Sequence, residues 1–102
     1  MNYNPVFLPV ARAEFLYATS WYEEQQKGLG QKFISEIDKT IDVILKEPKL
    51  FSKRKKEYRE GVTSNFPFNI VFRIYEPGSQ IIIVAIYHSK RNPKNKYSRE
   101  KK

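Results

Sequence analysis

Two consecutive apolar runs in the last third of the chain, separated by a short turn, most constrain its fold. Residues 66–75 read FPFNIVFRIY and residues 81–87 read IIIVAIY. Between them, residues 76–79 (EPGS) place Pro77 and Gly78 at the centre of a type I or type II turn, in which glycine supplies a positive φ if the turn is type II. The pattern predicts a hairpin of two buried strands near residues 67–75 and 80–88.

Alternation in the first run separates the two faces of its strand. One set of side chains is apolar and is expected to face the helices: Phe68, Ile70, Phe72 and Ile74. The other set points away from them: Asn69, Val71, Arg73 and Tyr75. The second run shows no alternation, which is typical of a central strand that is covered on both faces.

Two amphipathic helices are predicted ahead of the hairpin, at about residues 9–27 and 30–47. Apolar residues recur at helical spacing on one face of each helix. The first face carries Ala11, Phe15, Ala18 and Tyr22, and the second carries Phe33, Ile37, Ile41 and Ile44. Gly28 and Gly30 interrupt the pattern and Pro48 ends it, so the helices are expected to form an antiparallel pair with a short connection.

A short edge strand at residues 4–8 and a further strand near residues 57–65 complete the predicted elements, and residues 49–56 are expected to form a loop. The sequence therefore predicts one α+β domain over residues 1–102, in the order β-α-α-β-β-β. Its two-helix hairpin should pack on a small, mainly antiparallel sheet. The expected core residues are Phe15, Phe33, Ile37, Ile41, Phe68, Ile70, Phe72, Ile83 and Ala85.

The residue types that are missing exclude several kinds of site. The chain has no cysteine and a single histidine, His88, so thiolate and histidine-rich metal sites are excluded and no metal or cofactor is expected. No apolar run reaches the length of a membrane span, and the N-terminus lacks a signal-peptide pattern. We therefore expect a cytoplasmic protein without a membrane partner.

Positive charge is concentrated in two segments. Residues 10–47 carry 5 basic and 7 acidic side chains, a net charge of −2. Residues 53–59 and 90–102 together carry 12 of the 19 basic residues, against only Glu57 and Glu100. Such segregation is typical of a surface that meets nucleic acid or an acidic protein, although a solvated loop and tail would show the same pattern.

Few residues offer catalytic chemistry. Ser89 directly follows His88, so the two would point to opposite sides of a strand, and a structural hydrogen bond at the strand end is the simpler role for His88. Tyr97 lies among cations that could lower its pKa, and it could stack on a base or transfer a proton. RNA cleavage by the ribose 2′-hydroxyl needs only a base, an acid and cations, which Lys, Arg and Tyr can supply. Trp21 and Tyr22 could instead contact a partner.

Several short motifs occur in an informative order and spacing. They are Trp21-Tyr22-Glu23-Glu24, Gly28-Leu29-Gly30 with Phe33, Glu47-Pro48, Phe66-Pro67-Phe68, Ile83-Val84-Ala85 and Lys90-Arg91-Asn92-Pro93. Over residues 6–91 this arrangement resembles the RelE/ParE toxin superfamily of bacterial type II toxin–antitoxin systems. The resemblance implies a toxin that a cognate acidic antitoxin neutralises in a hetero-oligomeric complex. An amphipathic antitoxin segment is expected to fold across the sheet and the basic segment.

The resemblance leaves the cellular target open. RelE-like members cleave mRNA on the ribosome, whereas ParE-like members inhibit DNA gyrase. For the RelE-like activity the resemblance implies Arg91 and Tyr97 as catalytic residues, with Arg59 and Lys56 as further candidates. The residues expected to bind nucleic acid or the antitoxin are Lys53, Arg54, Lys55, Arg73, Lys90, Lys94 and Lys96.

Two departures from the RelE-like pattern favour gyrase as the target. Asn69 stands where a catalytic arginine is expected. The expected lysines fall near Glu60 and Val62, unless a gap brings in Lys55, Lys56 or Arg59. Loss of one such charged contact can lower a rate on the order of a hundredfold. ParE-like gyrase inhibition is therefore the favoured hypothesis, the ribosome-dependent mRNA endonuclease is the alternative, and a non-toxic, basic nucleic-acid-binding module is the third.

Overall fold

The computed structural model describes residues 3–100 and places both helices on one face of a five-stranded sheet. The elements are β1 (Asn4–Phe7), α1 (Pro9–Gln25), α2 (Leu29–Lys46), β2 (Lys53–Lys55), β3 (Tyr58–Val62), β4 (Phe68–Tyr75) and β5 (Gln80–His88). The strand order is β1-β5-β4-β3-β2, with β1 parallel to β5 and the other neighbours antiparallel. The predicted α+β class is confirmed. Neither helix within this part of the chain is long and apolar enough to cross a membrane.

The connection between α1 and α2 is tight and requires glycine. Gly28 has a φ of +89°, a conformation that side chains rarely adopt. The carboxylate of Glu23 accepts hydrogen bonds from the backbone N–H groups of Gly28 and Gly30, both at 3.0 Å. A Cβ atom on Gly30 would lie 2.9 Å from the carbonyl oxygen of Thr19, so a larger residue would push the helices apart.

The main core lies between the helices and the sheet. Phe33 is fully buried at the centre of this core, and the centroid of its ring lies 4.8 Å from that of Phe68. Phe72 is also fully buried, and the predicted alternation of β4 is confirmed because Val71 belongs to a different cluster on the outer face. Phe15 is half-buried rather than central, since it packs at the margin of the core with its ring 6.0 Å from that of Phe33.

A β-bulge in β5 changes which of its side chains face the helices. Val71 pairs with Ala85, but the next residue, Phe72, pairs with Ile83, so Val84 is an extra residue in β5. Ile83 consequently belongs to the main core, whereas Val84 and Ala85 both lie in the cluster on the outer face. Ala85 is buried as predicted, but on the opposite side of the sheet from Ile83.

The predicted loop at residues 49–56 contains regular structure. A 3-10 turn spans Pro48–Leu50, and β2 follows at Lys53–Lys55. β2 pairs antiparallel with β3, and the chain reverses at Lys56, which has a φ of 53°. The loop prediction was wrong here because a three-residue exposed strand has no apolar alternation that would reveal it.

The turn between β4 and β5 has Pro77 and Gly78 at its centre, as predicted. The backbone N–H of Ser79 donates to the carbonyl oxygen of Glu76 at 3.0 Å, and Glu76–Gly78 has 3-10 geometry. The positive φ (50°) lies at Ser79, and Gly78 has none, so the turn is of type I rather than type II.

Candidate functional site

The C-terminal tail, defined here as residues 89–100, folds over the outer face of the sheet. Lys101 and Lys102, which belong to the predicted basic segment, lie outside the described residues. The outer face carries an apolar cluster formed by Tyr58, Val71, Ile82, Val84, Ala85 and Tyr87. Tyr97 packs against this cluster, with its ring 6.0 Å from that of Tyr58. A fully solvated tail, which was one interpretation of the charge pattern, is therefore excluded for this segment.

A turn directly after β5 directs the tail back across the sheet. The backbone N–H of Arg91 donates to the carbonyl oxygen of His88 at 2.8 Å, and Asn92 has a φ of 39°. The Nδ1 atom of His88 accepts a hydrogen bond from the backbone N–H of Lys90 at 3.1 Å. His88 therefore has the structural role at the strand end that the sequence predicted.

A buried carboxylate, that of Glu60 on β3, anchors the tail. Its Oε1 atom accepts hydrogen bonds from the hydroxyl of Tyr87 (2.8 Å) and the Nδ2 atom of Asn69 (3.0 Å). Its Oε2 atom accepts a hydrogen bond from the hydroxyl of Tyr97 and lies 3.4 Å from the Nζ atom of Lys96. Burial acts to raise the pKa of Glu60, but the hydrogen bonds from Tyr97, Asn69 and Tyr87 outweigh it, so the pKa lies below its ordinary value.

Burial and the contact with Glu60 together keep Tyr97 protonated. Burial, followed by the hydrogen bond to the Glu60 carboxylate, raises the pKa of Tyr97 to about 12, although the charge of Lys96 acts to lower it. The sequence had suggested that neighbouring cations lower this pKa, but the nearest charged group is an acid. Tyr97 is therefore a neutral hydrogen-bond donor at neutral pH rather than a base.

Two further ion pairs fasten the end of the tail. The guanidinium of Arg99 binds both carboxylate oxygens of Glu14 on α1 at 2.8 Å, and it also donates to the carbonyl oxygen of Val84 at 3.0 Å. The guanidinium of Arg73 on β4 binds the carboxylate of Glu100 at 2.7 and 2.8 Å. Such two-point arginine–carboxylate contacts fix orientation as well as distance.

A first groove, which we call the aromatic groove, lies between α1, the end of β5 and the start of the tail. Its volume is about 650 Å³. Tyr17 and Trp21 of α1 line it and are 64% and 46% exposed, and Lys90 and Arg91 line it from the tail. The neighbouring Leu16 is also exposed, so α1 presents apolar side chains to solvent as well as to the core. Exposed apolar patches of this kind mark binding surfaces.

A second groove, which we call the basic groove, lies on the outer face between the β2–β3 turn and the tail. Its volume is about 640 Å³. The basic residues along it are Lys55, Lys56, Arg73 and Lys94, and the other lining residues are Glu57, Tyr58, Tyr97, Ser98 and Glu100. Because Arg73 and Glu100 pair with each other, the net positive charge of the groove comes from its lysines.

The structure does not bring the four candidate catalytic residues together. Arg91 lines the aromatic groove, whereas Lys56 and Tyr97 line the basic groove. The guanidinium of Arg59 donates to the carbonyl oxygen of Phe51 at 2.6 Å. Only Lys56 and Tyr97 could therefore act on one bound group without a rearrangement.

The seven candidate binding residues fall into two groups. Arg73 and Lys96 are held in ion pairs by acidic side chains. The other five are exposed: Lys53, Arg54, Lys55, Lys90 and Lys94. The exposed group lies on β2, on the β5–tail turn and in the tail, so the two basic segments of the sequence both contribute to it.

The two acids that organise the site, Glu60 and Glu14, are not evident from the sequence pattern. Alternation along β3 places Glu60 on the same face as Tyr58, which is the one signal that could have identified it. Nothing in the sequence links Glu14 to Arg99, because the two are 85 residues apart. Their pairing depends on how the tail crosses the sheet.

Comparison with known proteins identifies one family and shows which solved structures share the fold. Residues 6–93 match the family model described as the ParE toxin of the type II toxin–antitoxin system, parDE. The chromosomal ParDE toxin–antitoxin system from P. aeruginosa has a chain that is 18% identical with a TM-score of 0.68, covering 84% of this chain and 95% of that one. A chain of the toxin–antitoxin complex RelBE2 from Mycobacterium tuberculosis is 11% identical, with a TM-score of 0.60. The match covers 86% of this chain and 99% of that one. At these identities the two structures show a shared fold. No curated protein matches the sequence.

Proposed function

Because this chain belongs to the family of ParE toxins of type II toxin–antitoxin systems, we propose that it acts in the cytoplasm by inhibiting DNA gyrase, and that an acidic antitoxin neutralises it. The toxin class follows from the family. The choice of gyrase over translated mRNA rests on one observation, the buried Glu60 carboxylate and the residues that it binds.

The contacts of Glu60 are unsuited to phosphate chemistry. A RelE-like reaction needs a base and cations that are free to stabilise a negatively charged phosphate. Glu60 stands where that pattern expects a lysine, and it holds Tyr97 as a donor and neutralises Lys96. Asn69, which stands where an arginine is expected, also donates to Glu60. Because Glu60 takes up the nearest tail cation and the tyrosine hydroxyl, neither is free to assist cleavage at a phosphate, which supports a target other than mRNA.

The tail covers the outer face of the sheet, across which the sequence predicted that an antitoxin segment would fold, so the aromatic groove is the surface that best fits such a segment. Tyr17 and Trp21 offer large, rigid apolar contacts, and Lys90 and Arg91 offer cations to an acidic partner. Tryptophan, tyrosine and arginine are the residue types that contribute most to binding energy at protein interfaces. An amphipathic helix that carries acids beside its apolar face matches both features.

The antitoxin prediction can be tested with two pairs of substitutions. We expect Tyr17→Ala with Trp21→Ala to weaken binding of the product of the neighbouring reading frame by roughly thirty- to a thousandfold, as for truncated hot-spot residues. The matched control is Val43→Ala with Leu50→Ala, which also truncates exposed apolar residues but lies outside the groove. Isothermal titration calorimetry measures both affinities. Equal losses in the two variants, or no loss in the groove variant, would contradict this assignment.

The target prediction needs two parallel assays on the purified chain. We expect DNA supercoiling by gyrase to be inhibited while transcripts stay whole in a translating extract. Tyr97→Phe should leave gyrase inhibition almost unchanged, because the proposed mechanism gives its hydroxyl only a structural contact with Glu60. Mapped mRNA cleavage that Tyr97→Phe or Arg91→Ala abolishes, with gyrase unaffected, would establish the ribonuclease instead. Duplex binding with neither gyrase inhibition nor mRNA cleavage would leave only a nucleic-acid-binding module.

A further inference from the structure

The basic side chains of β2, β4, the β2–β3 turn and the tail divide into paired and unpaired groups. Arg73, Lys96 and Arg99 are neutralised by Glu100, Glu60 and Glu14. Within residues 3–100, the following exposed cations form no ion pair: Lys53, Arg54, Lys55, Lys56, Lys90, Arg91 and Lys94. The paired cations hold the fold together, so the unpaired ones remain available to a ligand.

The unpaired lysines converge on the basic groove from two separate parts of the chain. Lys55 and Lys56 come from the β2–β3 turn, and Lys94 comes from the tail. Among the lining carboxylates, Glu100 is already held by Arg73 and by the hydroxyl of Tyr58 at 2.7 Å, which leaves Glu57 opposing three lysines. The groove therefore has a net positive charge.

Arg54 extends this charge across the outer face. Arg54 and Lys53 belong to the same exposed three-residue strand as Lys55, which lines the groove. The exposed cations of β2 thus continue the surface that begins at the groove.

The backbone that carries these lysines is held by the β2–β3 pairing on one side of the groove and by the tail anchor on the other. The chain reverses at Lys56 with a positive φ of 53°, which sets the direction of the β2–β3 turn. On the other side of the groove, Lys94 lies two residues before Lys96, which is anchored on Glu60. A preorganised set of charges loses less entropy on binding than a flexible tail does.

The aromatic residues beside the groove are not free to stack on bases. Tyr58 is buried, and Tyr97 is half-buried with its hydroxyl held by Glu60. Proteins that bind single strands without sequence preference stack bases on exposed aromatic rings. Lysines that have no such rings beside them are instead suited to a duplex, whose phosphates they contact as point charges.

We propose that the basic groove and the adjoining exposed cations of β2 bind the phosphate backbone of duplex nucleic acid without reading its sequence. This surface is separate from the aromatic groove. The binding would hold the toxin near nucleic acid whatever its protein target is, so it goes beyond gyrase inhibition. Duplex DNA and duplex RNA share the phosphate chemistry, and the test includes both.

The test measures how duplex binding depends on salt. The probes are fluorescent duplexes of DNA and of RNA of random sequence, titrated with the purified chain at several salt concentrations. Three phosphate contacts predict a slope of about −2.7 for the logarithm of the DNA binding constant against the logarithm of salt concentration, so affinity should fall roughly fortyfold between 50 and 200 mM. The variant Lys55→Gln/Lys56→Gln/Lys94→Gln should lose most of this slope.

A matched variant separates the surface from net charge. Lys27→Gln/Lys32→Gln/Lys46→Gln removes the same charge from exposed helix and connection residues that line neither groove, and it should keep the wild-type slope. Circular dichroism confirms that both variants are folded. Binding of DNA and RNA duplexes with similar slopes supports the proposal. It is overturned if both variants lose the same amount of slope, or if no duplex binds at 50 mM salt. Preference for single strands over duplexes also overturns it, and so does binding of polyglutamate, an anionic polymer without phosphates, when duplexes do not bind.

Discussion

Replacing Glu60 by glutamine should destabilise the protein strongly, because this one carboxylate holds two segments of the chain together. Glu60 is only 8% exposed, and it accepts hydrogen bonds from Tyr87, Asn69 and Tyr97 as well as pairing with Lys96. Glutamine keeps one acceptor oxygen and brings an amide in place of the other. Lys96, whose side chain is 14% exposed, would then lose its counter-charge.

The size of the effect follows from the burial of the pair. Removal of one partner from a buried ion pair costs about 3–5 kcal/mol, and the retained acceptor places Glu60→Gln near the lower limit, at about 3 kcal/mol. For a domain of this size such a loss lowers the melting temperature by about 12–24 °C. Urea unfolding followed by circular dichroism measures the free energy of unfolding directly.

Two further variants test the reasoning behind that value. Glu36→Gln is the matched control, because Glu36 pairs with Lys39 at 3.6 Å while Lys39 is 72% exposed, and we expect a loss of at most about 0.5 kcal/mol. Adding Lys96→Gln to Glu60→Gln removes the unpaired charge and should recover about 1 kcal/mol. A loss below about 1 kcal/mol for Glu60→Gln, or a double variant no more stable than the single one, would refute the anchoring role.

Other predictions concern acid stability and the helical connection. In the folded protein the pKa values of Glu60 and Glu100 lie below 4.5, their value in the unfolded chain. The two carboxylates should therefore contribute their full stabilisation above pH 4.5 and lose it as the pH falls through their folded pKa values. Urea unfolding between pH 7 and pH 2.5 should show this loss, and a Glu60→Gln variant as acid-sensitive as the wild type would exclude Glu60 as its source. Gly30→Ala should cost about 1–3 kcal/mol, because its Cβ atom would lie 2.9 Å from the Thr19 carbonyl oxygen. Gly78→Ala, where the nearest atoms are 3.3 Å away in a flexible side chain, should cost far less, and equal losses would contradict the packing argument.

The fold could be predicted from the sequence because its main elements are repetitive. Helical spacing in Phe33 and Ile37, and alternation in Phe68 and Ile70, each report a face that is buried by many contacts. Where the signal is not repetitive, prediction failed or was incomplete. β2 consists of three exposed basic residues, which show no apolar alternation. The bulge at Val84 lies in a run of apolar residues, where a shift of the register by one residue does not change the hydrophobic pattern.

The site was predictable only in its composition. The basic segments and Tyr97 were recognised, but their state depends on acids that come from distant elements. Glu60 changes Tyr97 from a candidate base into a donor, and Glu14 takes Arg99 out of the set of available cations. Such pairings are set by tertiary packing, so a count of charges along the sequence cannot separate structural cations from those that face solvent.

The position of Glu14 constrains what the aromatic groove can bind. Glu14 lines this groove with its carboxylate on Arg99, and the groove also contains Lys90 and Arg91. A partner segment with acids distributed along its whole length would be repelled by Glu14 and attracted by the two tail cations. The acids of a suitable partner should therefore lie toward Lys90 and Arg91, with its apolar residues toward Trp21 and Glu14. A partner arranged the other way round would compete with Glu14 for Arg99, and binding would then loosen the tail from the sheet.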